Sequence, residues 1–140
     1  MVSSHDFLKN KRNKNIKIYV NGKFYHRDKA KISVFDSSSL LGHGVWDSLR
    51  YHNNKFIFLK LHLDRLYKDA KLTDIKIPLN RKQITTLLHK TVKLNQIKTD
   101  GHLRIVVSRG IKSTPYQSPK VTITKPSIII IPEFKKPDTK

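Results

Sequence analysis

The chain has 140 residues and a formal charge of +19, from 29 Lys and Arg against 10 Asp and Glu. That length fits one domain of ordinary size, and a 37% hydrophobic fraction set in periodic blocks argues against wholesale disorder. No cysteine is present, which excludes a disulfide framework, a thiolate metal site and a cysteine nucleophile.

No apolar run approaches the ~18 residues of a membrane span, so no membrane is expected as a partner. The first residues carry no apolar segment of the secretory type, and the cytoplasm is the expected compartment. The charge invites nucleic acid, because Lys and Arg neutralise phosphates. However, the 22 lysines are spread from Lys9 to Lys140 instead of gathering on one element. Nucleic acid is therefore not the expected partner.

Residues 1–15 read as a basic tail, polar and without an apolar period. Ordered structure is expected from Ile16. Ile16, Ile18 and Val20 alternate with Lys17 and Tyr19 as a half-buried strand. Asn21-Gly22 is a tight turn, and Lys23–Tyr25 the return strand. Ile32–Phe35 reads as a short strand, and Asp36–Gly44 as a loop with two glycines flanking His43. Val45–Tyr51 and Phe56–Leu59 form a second hairpin around Asn53-Asn54.

A helix is predicted over Lys60–Leu72, with Leu59, Leu63, Leu66 and Ala70 as its buried stripe and Asp64 paired with Lys68. A second starts at Asn80, with Gln83 completing a capping box, and ends near Asn95. Leu103, Ile105 and Val107 alternate in a strand, a loop runs from Arg109 to Pro119, and Val121–Thr124 is extended. Ser127–Pro132 reads as a strand buried on both faces. Residues 133–140 read as the start of a linker. The fold class is α+β, one mainly antiparallel sheet with helices packed on one side.

The seven histidines show no recognised metal-ligand spacing, so no metal site is predicted. Gly42-His43-Gly44 taken singly is a turn. His62 and Arg65 share one helix face, and two readings of Arg65 stay open. It could pair with Asp69 at i+4, or offer its planar fork to a phosphate. Arg104, on the polar register of its strand, either faces solvent or holds a carboxylate.

Five blocks in order carry a resemblance. They are Val20-Asn-Gly-Lys, Ala30–Asp36, Leu41-Gly-His-Gly-Val-Trp-Asp-Ser-Leu-Arg50, Leu61-His-Leu-Asp-Arg–Lys71 and His102-Leu-Arg–Gly110. From Ile16 to Pro132 the chain resembles the N-terminal domain of class IV (fold type IV) pyridoxal-phosphate aminotransferases. That family includes branched-chain and D-amino acid aminotransferases and aminodeoxychorismate lyase. The resemblance implies pyridoxal 5′-phosphate as cofactor, amino acid and 2-oxo acid substrates, and a homodimer.

By the same resemblance, Arg65 binds the cofactor phosphate, and Arg104, Trp46 and Leu41 line the substrate end. Thr114 and Tyr116 lie on the loop that reaches the neighbouring subunit's site. D-amino acid members hold the substrate carboxylate with Tyr, Arg and His, where this chain has Trp46, Thr114 and Tyr116. The charged part of that trap has no counterpart, which argues against D-amino acid specificity of that type and leaves branched-chain or amine-type substrates open, the branched-chain type being favoured. Asp47 replaces the usual Glu, and Gly-His-Gly the commoner Gly-Asp-Gly. The family's Schiff-base lysine belongs to a second domain, and none of the 22 lysines here has its context. No catalytic residue is assigned within these 140 residues, and the chain alone is expected to be inactive. Two alternatives stand beside this reading: an aminodeoxychorismate lyase-like enzyme, and a free-standing basic domain that binds nucleic acid.

Overall fold

A computed structural model describes residues 10–137; residues 1–9 of the expected tail and 138–140 of the expected linker lie outside the described residues. Strands β1 (Lys17–Val20) and β2 (Lys23–His26) form a hairpin. Asn21 at φ 46 and Gly22 at φ 99 make its turn, both in the left-handed region that the Asn-Gly pair tolerates. A short helix, α1 (Ser37–Leu41), precedes β3 (Gly44–His52) and β4 (Lys55–Phe56). Two longer helices follow, α2 (Leu59–Leu72) and α3 (Arg81–Leu94), then β5 (Gly101–Ser108) and β6 (Ile128–Phe134).

The six strands form one sheet in the order β2-β1-β6-β5-β3-β4, and every pairing is antiparallel. Helices α2 and α3 cover one face. Leu63, Leu66 and Ala70 of α2 and Ile84, Leu88 and Val92 of α3 pack on Val45, Leu49, Leu103, Ile105, Val107 and Ile130. The i, i+3, i+4 spacing of the helix residues and the period of two in the strands put these groups on facing surfaces. The capping box of α3 is present: Gln83 N–H donates to Asn80 Oδ1 at 2.9 Å, and Asn80 N–H donates to Gln83 Oε1 at 2.8 Å.

Several boundaries differ from expectation for identifiable reasons. Ordered structure begins before Ile16, because Lys11–Asn15 form a 3₁₀ turn. Its Asn13 side chain is buried and exchanges hydrogen bonds with the Phe134 backbone at 2.7 and 3.1 Å. At the other end Glu133 and Phe134 belong to β6, not to a linker. Tyr19, not Ile18, is the buried residue of its pair, stacked edge-on against Phe24.

Ile32–Phe35 is no strand. Among the described residues it finds no ladder partner, the nearest bridge being Asp36–Ile111 just after it, and Ile32, Val34 and Phe35 stay exposed. The expected loop after it contains α1, capped by Asp36, whose carboxylate accepts from Ser38 N–H at 3.0 Å. Phe58 turns into the left-handed region at φ 51, which cuts β4 to two residues and starts α2. Asp64 pairs with Lys60 and Arg81, not with Lys68. Pro119–Val121 is a 3₁₀ turn, so the expected extended piece is displaced at its start. β6 is buried on one face only: Ile128, Ile130, Pro132 and Phe134 point to the helices, while Ile129, Ile131 and Glu133 lie on the side no helix covers.

Candidate functional site

Strand β3 carries candidate residues on both sides of the sheet. Val45, Asp47, Leu49 and Tyr51 are buried toward the helices, and Trp46, Ser48 and Arg50 lie on the open face. Asp47 is a carboxylate with only 1% of its side chain exposed. The helical spacing of α2 brings both His62 and Arg65 to it. Arg65 donates from Nε to one Asp47 oxygen at 2.8 Å and from Nη2 to the other at 2.7 Å. His62 Nδ1 lies 2.9 Å from the second oxygen.

Burial alone would raise the Asp47 pKa. The hydrogen bonds from Arg65, His62 and the Ser48 N–H outweigh it and hold the carboxyl below its usual range. In turn, the hydrogen bond to Asp47 and its negative charge raise the Arg65 pKa. Arg65 therefore chooses Asp47 over Asp69 as its hydrogen-bonding partner. Its Nη1 has no protein hydrogen bond among the described residues, and 61% of the side chain remains exposed. A guanidinium held by one edge with the other edge open is suited to bidentate capture of phosphate oxygens.

The open face carries the second group. The β3–β5 register sets Trp46 opposite Val106, Ser48 opposite Arg104 and Arg50 opposite His102. The Arg104 guanidinium lies over the Trp46 ring, 4.5 Å from its centroid. Trp46 itself is 58% exposed. Arg104 makes no salt bridge among the described residues, while Arg50 donates to the Lys135 carbonyl. Burial, then the neighbouring Arg50 charge, pulls the His102 pKa down, so the imidazole is neutral at neutral pH and leaves the cationic character of this face to the arginines.

Leu41 closes α1, half-buried, one residue before Gly42, whose φ of 67 is the left-handed cap of that helix. Thr114 and Tyr116 stand exposed on the loop between β5 and β6, where Tyr116 N–H donates to the Thr114 carbonyl at 2.7 Å. No hydrogen bond or ring contact joins them to Arg65, Trp46 or Arg104 among the described residues. That loop is anchored from within by Lys112, 1% exposed, whose ammonium donates to the Ser118 carbonyl at 2.9 Å. Among the described residues no three His, Asp or Glu side chains gather as a metal site.

The resemblance singles out Arg65, Trp46 and Arg104 but not the residues that the structure sets around them. Asp47 and His62 as a clamp on Arg65, the Ser48–Arg104 pair and the buried Lys112 all depend on register or tertiary packing. The one available signal is that Asp47 falls in the buried phase of a strand, where an unpaired carboxylate would be costly.

The sequence pattern of the family described as amino-transferase class IV matches residues 44–138. A putative branched-chain-amino-acid aminotransferase of Methanocaldococcus jannaschii is 41% identical over 69% of this chain and 33% of its own length. A D-alanine aminotransferase of Listeria monocytogenes is 34% identical over 70% of this chain and 34% of its own. The aminodeoxychorismate lyase of Bacillus subtilis is 32% identical over 87% of this chain and 41% of its own. Among solved structures, the branched-chain aminotransferase of the thermophilic archaeon Thermoproteus uzoniensis with norvaline superposes at a TM-score of 0.70. It is 26% identical, over 84% of this chain and 40% of that one. The chain thus spans about a third to two fifths of the length of these relatives.

Proposed function

Because the chain belongs to the class IV amino-transferase family, we propose that it forms the N-terminal part of a pyridoxal 5′-phosphate-dependent aminotransferase. The proposed reaction moves an amino group between an amino acid, of the branched-chain type, and a 2-oxo acid. The observation that carries this reading is the clamped guanidinium of Arg65. The buried Asp47 fixes one edge, and the exposed edge suits the cofactor phosphate.

Pyridoxal 5′-phosphate, when bound, supplies the electron-withdrawing ring that makes amino-group transfer feasible. The chain's own residues bind and orient. Arg65 fixes the phosphate end, with Asp47 and His62 holding its orientation. On the open face Arg104, backed by Trp46, offers a cation to the substrate carboxylate, and Trp46 and Leu41 shape the apolar end. Thr114 and Tyr116, far out on an exposed loop, serve the neighbouring subunit of a homodimer working in the cytoplasm. The Schiff-base lysine comes from outside the part of the family matched here.

The test is a titration of pyridoxal 5′-phosphate into the full-length protein, followed by absorbance. Arg65→Ala should weaken cofactor binding by roughly tenfold or more, the usual scale for a hydrogen bond to a charged group. Unchanged affinity removes the role given to Arg65. A lyase is the alternative reading, supported by the similarity to the B. subtilis enzyme. Release of pyruvate from aminodeoxychorismate, without amino transfer to 2-oxo acids, would favour it.

A further inference from the structure

Strand β3 has one polar group that the reading above leaves without a task. Ser48 lies on the open face, between Trp46 and Arg50 along the strand and opposite Arg104 across it. Its Oγ is shielded from solvent and has no hydrogen-bond partner among the described residues. A hydroxyl hidden from water without a partner is a net cost that alanine would not incur. The neighbouring Asp47 is by contrast well satisfied, with two hydrogen bonds from Arg65, one from the Ser48 N–H and His62 Nδ1 at 2.9 Å. Three other shielded side-chain atoms lack a partner among the described residues, His43 Nδ1, Arg109 Nε and Thr122 Oγ1, but none of them belongs to β3 or lies opposite Arg104.

We propose that Ser48 is a substrate-contacting residue whose hydroxyl donates to the carboxylate that Arg104 attracts. The inference rests on the aminotransferase reading and deepens it, because it assigns the second donor of the carboxylate site. The two groups complement each other. Arg104 supplies charge and two parallel N–H bonds, but its guanidinium is exposed and held only by the Trp46 ring. The Ser48 hydroxyl is fixed by the sheet, with a single short side-chain rotor, and so it sets where the carboxylate comes to rest. The side chains that flank the hydroxyl on the open face, Arg104 and Trp46, are exposed, and exposed side chains change rotamer on the ps–ns scale. A carboxylate oxygen then accepts from the hydroxyl, and the desolvation already incurred in the free protein is not incurred again on binding. The ligand class that follows is an acid, not its amide or amine: a carboxylate accepts from both donors, whereas an amide presents one acceptor and adds an N–H against a cation.

The experiment uses the full-length protein loaded with pyridoxal 5′-phosphate, titrated calorimetrically with 4-methylvalerate and with its neutral amide. Wild-type protein should prefer the acid. Ser48→Ala should weaken the acid by roughly tenfold and leave the amide unchanged, while Ser48→Thr, which keeps the hydroxyl, should restore most of the loss. Arg104→Ala should reduce acid binding further. If Ser48→Ala binds the acid as wild type does, the role of Ser48 is overturned and the aminotransferase reading stands. If the wild-type protein binds neither ligand yet transaminates amino acids, Ser48 is again overturned, because the acid site lies elsewhere. If it neither binds the acid nor transaminates, the reading beneath the proposal fails with it.

Discussion

On the helix-covered side of β3, Asp47 meets an arginine and a histidine and is almost wholly withdrawn from water. One residue further on, Ser48 meets Arg104 across the sheet, and neither has an acid or a hydrogen-bonding partner among the described residues. One face of β3 therefore carries a satisfied charge cluster, and the other a shielded hydroxyl without a partner beside an exposed arginine of β5. The covered face has finished its hydrogen bonding within the chain. The open face keeps donors in reserve, which is the condition expected where a ligand completes the structure.

The contrast is broken most strongly by substituting apolar residues on each side. Leu49 is fully buried against α2, and Leu49→Ala should cost about 2–5 kcal/mol through lost transfer energy and the cavity left behind. Ile131, on the open face and 37% exposed, should cost under about 1 kcal/mol when changed to Ala. Urea unfolding of the chain and its two variants measures both. Equal losses would mean that the open face is as tightly covered as the other.

A smaller effect separates the faces by pH. The Asp47 carboxyl is held below its ordinary value of 3.8 by its partners. Its contribution to stability is therefore present above that value and lost as pH falls through the lower, folded-state one. Asp47→Asn removes the contribution. The stability difference between wild type and variant should be present at neutral pH and shrink below about pH 4. A difference that keeps growing in acid would contradict the clamp.

How much of this is legible in sequence depends on how far apart the interacting residues lie. The Asn21-Gly22 turn and the Asn80/Gln83 capping box act within four residues, and local sequence suffices for both. The leucine stripe of α2 follows from its period, as does the alternation of β3 and β5. Ile32–Phe35 has a strand's composition but no neighbour to pair with, and composition cannot supply one. Ser127–Pro132 has apolar residues at every second-face position, yet Ile131 ends up exposed because no helix lies on that side. For Arg65 the local partner Asp69 loses to Asp47, 18 residues away and on a different element. Helix spacing does not rank those two choices, since the second depends on where β3 lies under α2. Lys112 gives no signal at all: a loop lysine enclosed by its own loop looks like any other lysine in a chain with 22 of them.

The smallest expected effect isolates the open face most cleanly. Trp46 is the only tryptophan of the 140 residues, and its ring carries the Arg104 guanidinium. Arg104→Ala removes that cover without touching the core, because Leu103 and Ile105 on either side keep their places under the helices. Stability should stay within about 0.5 kcal/mol of wild type, as for other exposed substitutions. The Trp46 emission should nevertheless shift, since the indole exchanges a stacked cation for water. Arg50→Ala, on the same face but bonded to the Lys135 carbonyl and not to the indole, should leave the emission where it was. If both variants shift it equally, the tryptophan is sensing the general charge of the face and not a specific stack. Arg104 would then lack the fixed position from which, with Ser48, it could define a carboxylate site.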